Sequence, residues 1–93
     1  MSAGKKIAFL DRDGVINVNA LEREYITKVT DFVLNPGIFD LLKFLARHGF
    51  EFIVVTNQQG IARGKMTSDD LDSIHAHMVT VLQSGGIDVR IKD

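Results

Sequence analysis

The sequence contains no cysteine and only one proline, and its formal net charge is −1. A chain without cysteine can form neither a disulfide framework nor a thiolate metal site. Proteins that bind nucleic acid or anionic membranes usually carry an excess of basic residues, which this chain lacks. We therefore expect neither nucleic acid nor a membrane as a partner.

Long apolar stretches are missing as well. No run approaches the roughly 18 residues that a membrane-spanning helix needs. The opening "MSAGKK" leads into only four apolar residues before charge returns, which is not the pattern of a secretory signal. With 45% hydrophobic and 25% charged residues in a chain of 93, the composition indicates one small globular domain. The expected compartment is the cytoplasm.

The apolar residues that are present form two short continuous runs, at residues 7–10 and 52–55. Runs of this kind are typical of strands buried on both faces of a parallel sheet. Between them, apolar residues recur at helical spacing from Ile38 to Leu45. Pro36 suits the first turn of that helix, and Gly49 suits a left-handed end.

A second helical stripe begins at Leu71 and ends before "SGG" at residues 84–86. It follows a predicted capping box formed by Thr67 and Asp70. Residues 87–91 could begin a third strand. This alternation predicts an α/β fold, a Rossmann-like parallel sheet with flanking helices and right-handed crossovers. The polar segment 17–35 has no sustained period, and we expect a loop or short hairpin over the active site.

Polar side chains follow both predicted strands: Asp11 and Asp13 after the first, Thr56 and Asn57 after the second. Ligands of open parallel sheets bind beyond the carboxyl ends of the strands, so these side chains should meet. Close carboxylates repel each other, and a hard cation such as Mg²⁺ relieves the repulsion. One carboxylate could then act as nucleophile and the other as proton donor and acceptor. Gly14 would let the chain turn sharply.

A bland interpretation exists for each of these features. The Asp-x-Asp-Gly stretch alone could be a turn with solvated carboxylates, and Thr-Asn a simple cap. Their joint occurrence at the ends of two buried strands is more specific. His75 and His77 do not suggest a metal pair, because residues two apart on a helix point in different directions. We expect both histidines to be surface or half-buried residues.

Two stretches carry a resemblance to a known family. "FLDRDGVIN" at residues 9–17 and "VVTNQQGIARG" at residues 54–64 resemble the first two motifs of the haloacid dehalogenase-like superfamily of Mg²⁺-dependent phosphohydrolases. Arg12 within the first motif and the extended second motif are similar to one branch. This branch contains D-glycero-D-manno-heptose 1,7-bisphosphate phosphatases and histidinol-phosphate phosphatases. Residues 1–93 then resemble the N-terminal part of such a hydrolase domain, and we expect the domain to be truncated.

The resemblance implies a phosphomonoester hydrolase acting on a small phosphorylated metabolite, with a heptose bisphosphate ahead of histidinol phosphate. Asp11 would form an aspartyl-phosphate, and Asp13 would protonate the leaving alcohol and then activate water. The Asp11 carboxylate and the Asp13 main-chain carbonyl would bind Mg²⁺. Thr56 and Asn57, together with the backbone amides of Arg12 and Asp13, would hold the phosphoryl group. Gln58 and Arg63 lie in the loop that could meet the rest of the substrate. Arg63 could bind a second phosphate through its planar fork, or be a solvated loop residue.

The family's lysine motif and acidic metal-binding motif lie C-terminal to everything in this chain. A zinc-binding Cys/His loop, frequent in the branch, would also lie there, so zinc is expected only in such a segment. We therefore expect these residues alone to bind Mg²⁺ and phosphate poorly, and a half-sheet to self-associate through its exposed edge. Two alternatives stay open: a catalytically incomplete fragment, and a non-catalytic phosphate-binding module resembling a receiver domain. Asp13 favours the enzyme, because a receiver usually lacks a proton shuttle at that position.

Overall fold

The computed structural model describes residues 6–18, 29–56, 64 and 66–92. Within these ranges the chain forms a three-stranded parallel sheet, two α-helices and one 3-10 turn. The predicted α/β architecture is confirmed. The elements, in chain order, are β1 (Lys6–Asp11), the 3-10 turn (Val29–Asp31), α1 (Ile38–Arg47), β2 (Phe50–Val55), α2 (Ser68–Ser84) and β3 (Val89–Lys92).

The sheet has the strand order β1-β2-β3, and both pairings are parallel. In the register, Asp11 lies opposite Val55, and Val55 lies opposite Lys92. The carboxyl ends of all three strands are therefore at the same edge of the sheet. This edge is where a parallel sheet presents its ligand site.

Local sequence signals fix most helix ends. Thr67 precedes α2 and forms the predicted capping box: its Oγ1 accepts from the Asp70 amide at 3.1 Å, and Asp70 Oδ2 accepts from the Thr67 amide at 2.9 Å. Gly49 follows α1 with a φ of 86°, as predicted for a left-handed end. The start of α1 differs from the prediction. Pro36 lies in a turn before the helix, because Gly37 with its φ of 82° intervenes.

The hydrophobic core lies between one face of the sheet and the two helices. The three strands lie side by side in the order in which they occur in the chain. Right-handed crossovers between them therefore place both helices on the same face of the sheet. The buried apolar residues accordingly form one cluster that spans these elements: Leu10, Ile16, Phe32, Ile38, Leu42, Phe52, Val54, Ile74, Met78, Leu82 and Ile87.

The prediction that the first strand is buried on both faces is wrong for the part of the chain that the structure describes. Leu10 is buried, whereas Ile7 is 44% and Phe9 61% exposed. The exposed residues alternate with the core-facing ones along β1, so they belong to the face that neither described helix covers. Neither α1 nor α2 is long and apolar enough to cross a membrane.

Candidate active site

A cavity of about 290 Å³ opens at the carboxyl ends of β1 and β2. The described residues that line it are Asp11, Arg12, Asp13, Val55 and Thr56. The ends of the two strands are joined by the register pair Asp11–Val55 and by the Arg12 amide, which donates to the Val55 carbonyl at 3.3 Å. The structure thus brings both predicted carboxylates and the predicted threonine to one cavity.

A tight loop after β1 holds the carboxylates. The amides of Ile16 and Asn17 both donate to the Arg12 carbonyl, at 2.9 and 3.0 Å, and the Gly14 amide donates to the Asn17 carbonyl at 2.8 Å. Gly14 has a φ of 88°, a conformation that L side chains rarely adopt. The sharp turn expected at this glycine is therefore present.

Asn35, at the C-terminal end of the 17–35 segment, forms hydrogen bonds with this loop. Its Nδ2 donates to the carbonyls of Gly14 and Val15 at 3.0 and 2.9 Å, and to that of Asn17 at 3.3 Å. Its main-chain amide donates to the Ile16 carbonyl at 2.9 Å. In the sequence, Asn35 is recognisable only as the last residue of the polar segment 17–35. Its position before a proline showed where the segment ends but not what the side chain contacts.

Two buried side chains orient the carboxylate of Asp13. Arg12 Nη2 donates to both carboxylate oxygens, at 2.9 and 3.1 Å, and Asn17 Nδ2 donates to Oδ1 at 2.9 Å. Arg12 is 6% exposed and Asn17 is fully buried, whereas the Asp13 side chain is 41% exposed. The carboxylate is consequently held firmly on its protein side while it remains accessible from the cavity.

Arg12 was predicted to contact the substrate. In the structure its guanidinium is turned towards Asp13 and His75, and its main-chain amide is taken up by the bond to Val55. Its Nε has no hydrogen-bond partner among the described residues. Arg12 lines the cavity, and a direct contact with phosphate stays a prediction.

His75 is a functional candidate that the sequence analysis missed. It is 7% exposed on α2, so the expectation of a surface or half-buried position is wrong for this residue. The helix places His75 one turn after the buried Leu71 and beside the buried Ile74, on the side that faces the sheet. His77 is half-buried, with its ring edge-on to Phe32 at 5.8 Å between centroids.

Thr56 presents a hydroxyl group at the cavity. Its main-chain amide donates to the Lys92 carbonyl at 3.3 Å. Its Oγ1 is buried and has no hydrogen-bond partner in the described part of the chain. A buried hydroxyl of this kind is a donor in place for a ligand. The other predicted substrate contacts, Asn57, Gln58 and Arg63, lie outside the described residues.

The oxygen atoms at the cavity fit a magnesium ion by type. Mg²⁺ is commonly bound by one or two carboxylates together with water and substrate phosphate, without a complete protein cage. Asp11 and Asp13 supply carboxylate and carbonyl oxygens at the same strand end. The described residues contain no group of three or more His, Cys, Asp or Glu side chains able to hold a metal.

Comparison with curated proteins identifies relatives for most of the chain, although no family model matches it. The D-glycero-beta-D-manno-heptose-1,7-bisphosphate 7-phosphatase of Helicobacter pylori (strain J99) is 38% identical over 78 residues, which is 84% of this chain and 43% of the relative. The enzyme of the same name from Escherichia coli (strain K12) is 38% identical over 81 residues, 87% of this chain and 41% of the relative. The chain therefore spans about two fifths of the length of these relatives.

Solved structures give the same result for the fold. The D,D-heptose 1,7-bisphosphate phosphatase of B. bronchiseptica, complexed with magnesium and phosphate, superposes with a TM-score of 0.79 at 28% identity over 94% of this chain and 49% of its own. The Burkholderia thailandensis enzyme has a TM-score of 0.72 at 32% identity, covering 95% of this chain and 51% of its own. In sequence and in fold the chain therefore matches part of the haloacid dehalogenase-like phosphatases, in the branch of the heptose bisphosphate phosphatases.

Proposed function

We propose that this chain supplies the nucleophile and the proton shuttle of a Mg²⁺-dependent phosphomonoester hydrolase. The observation that supports this best is the cavity in which Asp11, Asp13 and Thr56 meet at two strand ends, with the Thr56 hydroxyl lacking a partner among the described residues. The names of the relatives support D-glycero-D-manno-heptose 1,7-bisphosphate as the substrate.

The proposed reaction has two steps. In the first, a carboxylate oxygen of Asp11 attacks phosphorus, the bond between phosphorus and the ester oxygen breaks, and protonated Asp13 gives its proton to the leaving alcohol. In the second, water attacks the aspartyl-phosphate while Asp13 takes up a proton from it. The products are inorganic phosphate and the free Asp11 carboxylate.

The rest of the cavity positions the phosphoryl group. The Thr56 hydroxyl donates to a phosphate oxygen, and the Asp11 carboxylate with the Asp13 main-chain carbonyl would hold Mg²⁺. When bound, the ion neutralises part of the phosphate charge, the main requirement of phosphoryl transfer. Magnesium and phosphate in the related B. bronchiseptica structure support this assignment. Asn57 is proposed to help Thr56 hold the phosphoryl group, and Gln58 and Arg63 are proposed to contact the non-reacting part of the substrate.

The test is Mg²⁺-dependent phosphate release by the purified chain, with its mass verified. Heptose 1,7-bisphosphate and histidinol phosphate are compared as substrates, and Asp11→Asn is the matched variant because it removes the nucleophile with little change in shape. We expect the variant to retain its circular-dichroism spectrum and to lose at least about 10³-fold in turnover. Turnover that survives in folded Asp11→Asn would contradict the proposal.

A second outcome points to a different function. If the folded wild-type chain binds phosphate and Mg²⁺ in calorimetry but releases no phosphate from either substrate, it is a phosphate-binding module or an incomplete fragment. A lysine and acidic residues supplied by another polypeptide would then be the components to add back.

A further inference from the structure

His75 is a buried histidine whose ring meets the active-site loop. Although it is 63 positions away from Arg12 in the sequence, its Nε2 lies 3.4 Å from Arg12 Nη1. An arginine guanidinium only donates hydrogen bonds, so the Nε2 atom must be the acceptor. The contact therefore requires a neutral imidazole whose proton is on Nδ1.

The two terminal nitrogens of Arg12 contact two different side chains. Nη1 contacts His75, and Nη2 donates to both carboxylate oxygens of Asp13 at 2.9 and 3.1 Å. An arginine side chain has several rotatable bonds, but its guanidinium is planar and rigid. Fixing one terminal nitrogen therefore fixes the direction in which the other donates.

We propose that His75 is a positioning residue of the active site, which holds Arg12 and through it fixes the carboxylate of Asp13. The inference rests on the proposed role of Asp13 as the proton shuttle. Asn17 holds the same carboxylate through Oδ1, so the two supports together define its plane. A proton donor acts only within about 2.6–3.2 Å of the leaving oxygen, and the supports keep Asp13 in that geometry.

A purely structural role for His75 makes a different prediction. If the ring only filled the core, its loss would lower activity towards every substrate alike. If it positions the proton donor, its loss should lower the rate only for substrates whose leaving group needs a proton. Alkyl phosphates have such leaving groups, whereas 4-nitrophenyl phosphate releases a stable phenolate without protonation.

The experiment compares three variants of the full chain on an alkyl phosphate and on 4-nitrophenyl phosphate. His75→Ala should lower kcat for the alkyl substrate about 10- to 100-fold, with KM and the aryl reaction little changed, because general acid catalysis contributes about 10²–10⁴-fold. His75→Gln retains an acceptor and should recover most of the loss. His77→Ala is the control on the same helix, since His77 contacts Phe32 and lies outside the site.

A second readout does not depend on turnover. In ¹⁵N-labelled protein we expect separate, slowly exchanging guanidinium signals for Arg12, because contacts on both Nη atoms hinder its rotation. These signals should average in His75→Ala and persist in His77→Ala. Averaging in His75→Ala supports the proposal even if the wild-type chain releases no phosphate, which would contradict only the proposed function. Unchanged Arg12 signals in His75→Ala, or equal losses on the two substrates, would overturn it.

Discussion

The side chain of Thr56 distinguishes the candidate site from the core. Its hydroxyl is buried at the cavity without a partner among the described residues. A buried polar group without a hydrogen bond costs about 1–3 kcal/mol of stability. Such a cost is expected where a side chain is kept for a ligand and not for packing.

Thr56→Val tests this interpretation. The substitution removes the hydroxyl and retains the branched shape, so we expect the free energy of unfolding without phosphate to stay the same or rise by up to about 1 kcal/mol. Phosphate binding should weaken, because a donor is lost. Urea denaturation and calorimetry measure the two effects. Thr56→Ser keeps the hydroxyl and should retain binding. A valine variant that is destabilised and binds phosphate normally would contradict the assignment.

Whether a site residue could be predicted depended on how locally its position is determined. Asp11, Asp13 and Thr56 could be placed together because each lies at or just beyond the end of a strand, and parallel strands end at the same edge. The contact between His75 and Arg12 could not, because it depends on the rotation of α2 about its axis. Asn35 likewise meets carbonyl groups about twenty residues away, through a return of the chain that no local pattern specifies.

At the scale of an element, α2 is the clearest case of local determination. Its first turn carries the reciprocal bonds between Thr67 and Asp70, which satisfy amides that the helix itself leaves free. Sequence signals of this kind act within three or four residues. The start of this helix could therefore be predicted from the sequence, whereas the start of α1 depended on how the preceding turn is built.

Two threonines associated with α2 should respond oppositely to the same substitution. Thr67→Ala removes the cap and should lower the free energy of unfolding by about 1 kcal/mol. Thr80 is exposed in the helix interior, where its Oγ1 bonds only to the Ala76 carbonyl at 2.9 Å. Thr80→Ala should be neutral or stabilising by a few tenths of a kcal/mol, because alanine is the better helix former. Urea denaturation of both variants checks this, and an equal loss in both would contradict the capping role.

At the scale of the whole molecule, the described part of the chain has one covered sheet face and one open face. Phe9 and Ile53 are neighbours in the register on the open side, next to Val55. β1 pairs with β2 alone among the described strands, so its other edge has no described partner. The sequence could not predict this asymmetry, since an apolar run has the same pattern whether one or both faces are covered. Self-association was predicted through an exposed sheet edge, and among the described residues the open apolar face adjoins that edge.

Phe9 and Phe52 give a matched test of that surface, because they are the same residue type on opposite faces. Phe52 is buried in the core, and Phe52→Ala should cost about 3–5 kcal/mol of unfolding free energy. Phe9 is 61% exposed, and Phe9→Ala should cost less than about 1 kcal/mol in dilute solution.

If copies of the chain cover the open face, the cost of Phe9→Ala should grow with protein concentration, because association stabilises only the folded state. Denaturation at two protein concentrations measures the cost of Phe9→Ala, and sedimentation equilibrium on Phe9→Lys measures self-association. A cost for Phe9 as large as that for Phe52, at every concentration, would mean that the same chain already covers the face.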